Sequence, residues 1–217
     1  MLSIPKRREI DHRTMKLLVG LIAISLANVT SFFAQAPITS ISASYYEGGW
    51  SQTIFVGFLF AISAFLLAYN GQSTREMVLS KVAAVATLGV AMFPCKCEGH
   101  PELVPYVHGA SAAVMFLILA YFCYVFFQRA RSKGHAQANW RSYIYALCGI
   151  TILVSVLIIA IDNLTGGIIS ARVPRLTFYG ERAGLIAFGI SWLTASRVLP
   201  ILTRNDERFS PFSDRVP

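Results

Sequence analysis

Six long apolar runs constrain the fold of this chain more than any other feature of its sequence. The runs are Lys16–Ala36, Thr53–Tyr69, Met77–Cys95, Val107–Gln128, Ser142–Ile161 and Tyr179–Leu199. A transmembrane helix needs about 20 apolar residues, because the hydrocarbon core of a bilayer is about 30 Å thick. The strands of a membrane β-barrel alternate apolar and polar residues, whereas these runs are continuously apolar. The sequence therefore predicts an all-α, polytopic integral membrane protein built as a six-helix transmembrane bundle.

The composition and the short connections agree with this fold class. Of the 217 residues, 55% are apolar and 14% are charged, and the mean hydropathy is +0.56. Soluble domains average about 25% charged residues. Because the connections leave no room for a soluble domain, we expect one transmembrane domain over 16–200. A basic cytoplasmic arm over 1–15 would precede it, and a cytoplasmic tail over 201–217 would follow it.

The distribution of basic residues predicts the orientation of the bundle. With the amino terminus inside, fifteen of the 19 Lys and Arg residues fall on the inner side, and only Lys96, Arg172, Arg175 and Arg182 fall outside. Cytoplasmic loops carry an excess of Lys and Arg, so we expect both termini in the cytoplasm, in a bacterial inner membrane or another plasma membrane. The net charge of +8 then reflects orientation and attraction to anionic lipid. Nucleic acid is not an expected partner.

The first run also has the features of a signal peptide. Basic residues, an apolar stretch and Ala34-Gln-Ala36 imitate the pattern of a cleaved leader. Cleavage would leave five spans. Pro37 directly after that site and the length of the run favour retention, so six spans are expected.

Small residues recur at helical spacing within several runs. Gly57 and Ala61 in the second run, and Gly184 and Ser191 in the sixth, belong to such stripes. Small side chains let membrane helices approach each other closely. The stripes therefore predict interfaces, either between helices of the bundle or in a groove for a lipid tail or a partner helix.

The connection after the third run concentrates residues that can bind a metal. It reads Phe93-Pro-Cys-Lys-Cys-Glu-Gly-His100, and His108 heads the next run. Zn²⁺ takes about four Cys, His or carboxylate ligands, which Cys95, Cys97, His100 and His108 would supply. A single residue between two cysteines is fewer than structural zinc sites usually have. A Cys95–Cys97 disulfide, which an oxidising compartment permits, and two free thiols are the alternatives.

Ionisable side chains are almost absent from the middle of the runs and gather at their outer ends. Because ionisable residues within a membrane mark functional sites, we expect any active or binding site on the outer face. His108, Glu181 and Asp162 are the candidate catalytic residues. A structural role for His108 is the alternative, in which it donates to Glu181 or Asp162 across the bundle, since buried polar groups pair.

Part of the chain resembles a known group of membrane proteins. The segment Gly89-Val-Ala-Met-Phe-Pro94, a short polar loop and His108-Gly-Ala-Ser-Ala-Ala carry the resemblance. They are similar to the small six-helix membrane proteins of the Frag/DRAM/Sfk-like group and to a related bacterial family of unknown function. The resemblance covers roughly residues 40–128. It implies six helices and a role in lipid or membrane processes.

Two functions fit these features, one non-enzymatic and one enzymatic. The first is a membrane protein that binds lipid, or an accessory subunit that packs against partner helices in a membrane assembly. The second is a zinc-dependent hydrolase or transferase on the extracytoplasmic face, using His108, Glu181, Asp162 and the cysteines. Membrane hydrolases related to the alkaline ceramidases carry paired histidines in their last helix, where this chain has Glu181 and no His.

Overall fold

The computed structural model describes residues 11–97 and 99–210, and these residues form seven α-helices and no strand. The all-helical fold class is therefore confirmed. Lys6, Arg7 and Arg8 of the predicted arm, Glu98 and residues 211–217 lie outside the described ranges. The helices are α1 (His12–Phe33), α2 (Ser44–Glu47), α3 (Gly49–Ala68), α4 (Thr74–Met92), α5 (Val107–Arg131), α6 (Ala136–Leu164) and α7 (Leu176–Ser196).

Each of the six predicted runs coincides with one of the six long helices. Four of them, α1, α3, α5 and α6, are long and apolar enough to cross a membrane by length and composition. Charged residues make α4 and α7 more polar: Arg75, Glu76 and Lys81 lie in α4, and Glu181 and Arg182 lie in α7. This architecture fits an α-helical membrane protein.

The six long helices form a closed ring in sequence order. Each packs against the next long helix along the chain, and α7 packs against α1. One end of the ring holds residues 34–48, 93–97, 99–106 and 165–175, and we call it the loop end. The other holds residues 69–73, 132–135 and 197–210, and we call it the tail end.

Local capping fixes where α1 and α4 begin. Asp11 caps α1, since its Oδ1 accepts from the N–H of Arg13 at 2.9 Å. The helix therefore starts four residues before the predicted run, inside the predicted arm. Ser73 and Glu76 form a capping box at the start of α4: the Glu76 N–H donates to Ser73 Oγ, and Ser73 Oγ donates to Glu76 Oε1 at 2.8 Å.

Aromatic side chains fill the interior of the ring toward the tail end. Trp192 of α7 is fully buried and contacts the rings of Tyr69, Phe122, Phe126 and Phe188. Rings in such clusters prefer tilted and edge-to-face arrangements over face-to-face stacks. Three of these four contacts with Trp192 have interplanar angles between 56° and 63°. The cluster joins the end of α3 to α5 and α7.

Buried serines join neighbouring helices through backbone carbonyls. Ser51 of α3 donates to the carbonyl of Thr30 in α1 at 3.1 Å, and Ser63 of α3 donates to that of Ala84 in α4 at 2.8 Å. Such hydrogen bonds stabilise helix pairs where apolar surroundings offer no alternative partner.

The predicted interface residues divide between the inside and the outside of the ring. Gly184 lies against Phe116, which a Cβ would approach to 2.9 Å, and buried Ser191 accepts from the thiol of Cys123 at 3.2 Å. These two residues lie at helix interfaces. Gly57 does not: a Cβ there would meet no atom within 4 Å, because Gly57 faces outward. Ala61 is half-buried on the same helix.

The closest helix crossing lies between α1 and α7, at glycines the sequence stripes did not single out. A Cβ on Gly189 would lie 2.7 Å from the carbonyl oxygen of Gly20 and 3.0 Å from the amide nitrogen of Ile24. A Cβ on Gly20 would lie 2.9 Å from the carbonyl oxygen of Gly189. Since these neighbours are backbone atoms, they cannot turn aside.

We predict that Gly189→Ala destabilises the protein, whereas Gly57→Ala does not. Both glycines are helical, so alanine improves helix propensity at each site by up to about 1 kcal/mol. At Gly189 the clash with α1 exceeds this gain, because overpacking costs about 1–3 kcal/mol. Thermal unfolding of the purified variants in detergent measures the difference. Equal melting temperatures for the two variants would contradict the crossing described here.

Candidate functional site

The segment between α1 and α2 folds into the loop end of the ring. Ile38 and Ile41 are buried, at 2% and 1% exposure, although they lie in a connection. The N–H of Phe178 donates to the carbonyl of Thr39 at 3.1 Å, and Arg175 Nε donates to that of Ile38 at 2.8 Å. The start of α7 therefore holds this segment in place.

Ser42 lies at the centre of a polar network that joins three parts of the chain. Its Oγ is 3.0 Å from His108 Nε2, at the start of α5, and donates to Glu181 Oε1 of α7 at 3.0 Å. The backbone N–H groups of Ile41 and Ser42 both donate to Glu181 Oε2. Ser42 and His108 are buried, so the network is shielded from solvent.

A hydrogen bond at the other ring nitrogen of His108, Nδ1, determines which nitrogen always carries a proton. Nδ1 lies 2.7 Å from the carbonyl oxygen of Phe93. A carbonyl only accepts hydrogen bonds, so Nδ1 carries a proton and Nε2 is the nitrogen free to exchange one with Ser42. The Ser42 hydroxyl has one proton, so when it donates to Glu181 the His108 Nε2 donates to Ser42 Oγ as an imidazolium. When Glu181 is protonated and donates to Ser42 Oγ, the hydroxyl donates to the Nε2 of a neutral imidazole. Chemically, the network can pass a proton between His108 and Glu181 through one hydroxyl, and mechanically it locks the segment to α5 and α7.

These contacts correct the predicted partners of His108. The sequence suggested a direct hydrogen bond to Glu181 or Asp162, but Ser42 stands between His108 and Glu181. Asp162 caps the loop that follows its own helix, where its Oδ1 accepts from the N–H groups of Ile169 and Ser170 at 2.8 and 2.9 Å. Sequence reasoning missed Ser42 because no local pattern around residue 42 indicates a contact with His108 or Glu181, which are far away along the chain.

The four predicted zinc ligands are engaged in different contacts. Cys95 and Cys97 are joined by a disulfide, with Cα atoms 5.5 Å apart. His100 stacks on Tyr46 with ring centroids 4.1 Å apart, and Tyr46 Oη donates to the carbonyl of Cys95 at 3.0 Å. Among residues 11–97 and 99–210, no three His, Cys, Asp or Glu side chains are grouped closely enough to hold a metal ion.

The tail end carries a second set of buried polar groups, which corrects the expectation that such groups gather only at the outer ends. Glu76 of α4 is 2% exposed and forms an ion pair with Arg129 of α5. Arg141 of α6 is also 2% exposed, and its Nη1 donates to the carbonyl of Leu202 at 2.7 Å. A count of charges along the sequence assigned these residues to the flanks of helices and did not reveal that they are buried.

Glu207 docks the tail against this end of the ring. Its carboxylate forms ion pairs with Lys133, with Arg141 Nη2 at 3.0 Å and with Arg197 Nη1 at 3.4 Å. Partial burial opposes ionisation, but the hydrogen bond from Lys133 and the charges of Arg197 and Arg141 outweigh it and lower the pKa of Glu207 to about 2. The carboxylate is therefore ionised at any physiological pH.

An apolar groove of about 710 Å³ runs along the outer surface of the ring between α4 and α5. Its lining is Lys81, Val82, Val85, Ala86, Leu88, Gly89, Met92, Phe93, Val107, Ala110, Ser111 and Val114. At the floor of the groove α4 and α5 approach closely: a Cβ on Gly89 would lie 2.3 Å from Ser111 Oγ.

No protein-family model, curated protein or solved structure matches the chain. The resemblance to the Frag/DRAM/Sfk-like group therefore stays a prediction. The class of protein that the fold supports is an α-helical membrane protein.

We predict that Glu181→Gln loosens the segment at residues 37–43. The glutamine keeps the shape of the side chain but loses the charge that accepts from Ile41 and Ser42, which costs about 1–3 kcal/mol. Hydrogen exchange at the amides of residues 41–44 should accelerate. Glu47→Gln is the matched control, since Glu47 is a carboxylate near the same segment that accepts from the N–H of Gln35, outside residues 37–43. Unchanged exchange in Glu181→Gln would show that the carboxylate does not hold the segment.

Proposed function

We propose that the protein is a non-enzymatic integral membrane protein that binds the acyl chain of a membrane lipid in the groove between α4 and α5. The groove is the observation that carries this proposal. It is apolar along nearly its whole length, and it lies on the outside of the ring, where a bilayer would surround the protein.

The ring and the lengths of its helices support the proposal of six spans. At about 1.5 Å per residue, the 19 residues of α4 and the 21 of α7 extend about 28 and 31 Å, close to the hydrocarbon thickness. Their charged residues have partners in the protein. Lys81 reaches toward the tail end, where its Nζ donates to Asn70 Oδ1 at 2.9 Å, and Arg182 donates to Asn28 Oδ1 at 2.7 Å.

In the orientation that we propose, the tail end faces the cytoplasm. Lys96, Arg172 and Arg175 are the Lys and Arg residues of the described loop end, Arg182 lies in the second turn of α7 next to it, and the remaining described Lys and Arg residues lie toward the tail end. This asymmetry supports cytoplasmic termini by the positive-inside rule. The disulfide between Cys95 and Cys97 then lies on the extracytoplasmic side, where oxidising conditions preserve it.

We predict a labelling pattern that tests all of the spans from α4 to α7. Single cysteines are introduced at exposed positions of the two ends and treated in intact cells with a membrane-impermeant maleimide. Leu103→Cys and Ile168→Cys should react, whereas Gln72→Cys, Ser132→Cys and Ile201→Cys should react only after lysis. Reaction at two consecutive positions from the same side would show that the helix between them does not cross the membrane.

The dimensions of the groove suit one acyl chain of one leaflet. From Lys81 to Phe93, α4 rises about 18 Å at 1.5 Å per residue, slightly more than half of a 30 Å hydrocarbon core. Val85 and Met92 line the groove and are 66% and 56% exposed, so they are open to a ligand from the bilayer. An acyl chain seated there gains van der Waals contacts with them, which is the source of packing energy inside a bilayer.

The enzymatic alternative has less support from the contacts of its candidate residues. A zinc-dependent hydrolase needs the predicted ligands to converge on one point, and Cys95, Cys97 and His100 are held in other contacts. His108 and Glu181 do come together, but around Ser42 and two backbone amides. That arrangement holds a loop in place.

We predict that Ala110→Trp reduces lipid binding several-fold. Ala110 lines the groove and is exposed, so the indole fills the space without displacing a packed side chain. Phospholipid carrying a photoreactive group on its acyl chain is incorporated into proteoliposomes, and cross-linked peptides are counted by mass spectrometry. The unmodified protein should cross-link between residues 82 and 114.

Leu117→Trp is the matched control for this experiment. Leu117 is exposed on the same helix and does not line the groove. Equal cross-linking of both variants would remove the groove as the lipid site.

A further inference from the structure

A cavity of about 250 Å³ opens at the tail end, inside the ring and separate from the groove. Side chains of α1, α5, α6 and α7 and residues next to these helices form its walls. Phe126 and Tyr145 give it an apolar floor, and Lys16 Nζ lies 5.0 Å from the centroid of the Phe126 ring. The proposed acyl-chain groove uses α4 and the outer face of α5, so the two sites share no lining residue.

The walls of this cavity carry an excess of positive charge. Six of the lining residues are Arg13, Lys16, Arg129, Lys133, Arg141 and Arg197. Three carboxylates belong to the same cluster: Asp11 lines the cavity, Glu76 pairs with Arg129, and Glu207 pairs with cations from α6 and α7. The six cations therefore outnumber the three carboxylates by three, and this net positive charge is unfavourable at close range unless an anion compensates it.

The two lining cations that have no ion-pair partner in the described part of the chain both belong to α1. Among the residues that the structure describes, the side chains of Arg13 and Lys16 form no ion pair. Lys16 lies over the rings of Tyr69 and Phe126, a contact that leaves its N–H donors available. The α1 side of the cavity thus presents two cations toward the space that Glu207 leaves open.

Glu207 shows that the opposite wall binds an anion. Its two carboxylate oxygens are contacted by Lys133 of the α5–α6 connection, by Arg141 of α6 and by Arg197, the residue after α7. An external group with more oxygens would meet these three cations and, in addition, Arg13 and Lys16. The tail carboxylate therefore marks one side of a larger site for an anionic ligand.

We propose that this cavity binds a phosphate-bearing anion and that Glu207 competes with the phosphate for Lys133, Arg141 and Arg197. Phosphate suits the site because it offers three or more acceptor oxygens, and guanidinium groups bind them in pairs with good geometry. A water molecule occupies about 30 Å³ of liquid, so 250 Å³ accommodates a phosphate with a small attached group. The phosphate is either the headgroup of an anionic lipid or part of a soluble ester.

The binding experiment uses the full-length protein in a neutral detergent and measures the thermal unfolding midpoint. Dioctanoyl phosphatidylglycerol and glycerol 3-phosphate serve as the two probes, and dioctanoyl phosphatidylcholine and chloride at matched ionic strength serve as their blanks. A saturable rise with the first probe alone assigns the site to lipid headgroups, and a rise with glycerol 3-phosphate assigns it to soluble esters. No saturable rise with either probe overturns the proposal.

Variants of α1 locate the binding. Arg13→Gln and Lys16→Gln should each weaken the probe about tenfold, because each removes a cation that faces the cavity. Arg131→Gln is the control, since Arg131 is exposed on α5 and does not line the cavity. A Lys16→Gln variant that folds poorly is replaced by Lys16→Arg, which keeps the charge and should bind. Wild-type affinity in both Gln variants would place the anion elsewhere and overturn the proposal.

A pair of tail variants tests the competition separately. Glu207→Gln should bind the probe severalfold more tightly, because it frees three cations. Asp206→Asn should not, since the neighbouring Asp206 is exposed and pairs only with Arg204. Binding that depends on α1 but is equal in the two tail variants would keep the anion site and refute the competition.

Discussion

The crossing of α1 and α7 determines the rest of this structure. Gly20 and Gly189 let the first and last long helices touch through their backbones, and this contact closes the ring. At the loop end, closure brings Glu181 of α7 to the segment that follows α1, where Ile41 and Ser42 donate to it. At the tail end, the same closure brings Arg197, which follows α7, beside the start of α1.

The two ends use opposite charge for the same mechanical purpose. At the loop end an acid, Glu181, receives hydrogen bonds from the segment after α1, and His108 joins the network from α5. At the tail end, Arg141 of α6 and Arg197, which follows α7, form ion pairs with Glu207 of the tail. In each case a non-helical segment closes one mouth of the ring. The difference is balance: the loop-end network pairs its groups fully, whereas the tail end keeps cations in excess, as a site for an anion requires.

Sequence periodicity predicted the helices because hydrophobic length is a local property. The runs at Val107–Gln128 and Ser142–Ile161 lie within α5 and α6, which differ from them mainly at their ends. The site could not be predicted in the same way. Ser42 and Glu207 are ordinary polar residues in connecting segments, and their importance arises from closure of the ring, which brings together residues far apart in the chain. A charge count gives the sign of a helix flank but not whether its side chain, such as that of Arg141, is buried.

Small residues illustrate why one sequence pattern has several structural outcomes. Gly189 and Gly184 permit contact between helices inside the ring, Gly57 faces outward with no neighbour, and Gly89 deepens the floor of the groove. These four glycines have three different surroundings, and their spacing along the sequence does not distinguish them. They differ in what a Cβ would meet. At Gly189 it would meet the backbone of α1, at Gly184 the ring of Phe116, and at Gly57 open space. At Gly89 it would meet Ser111 of α5, beside the groove. The groove proposed for an acyl chain is therefore a consequence of the same close packing that holds the ring together.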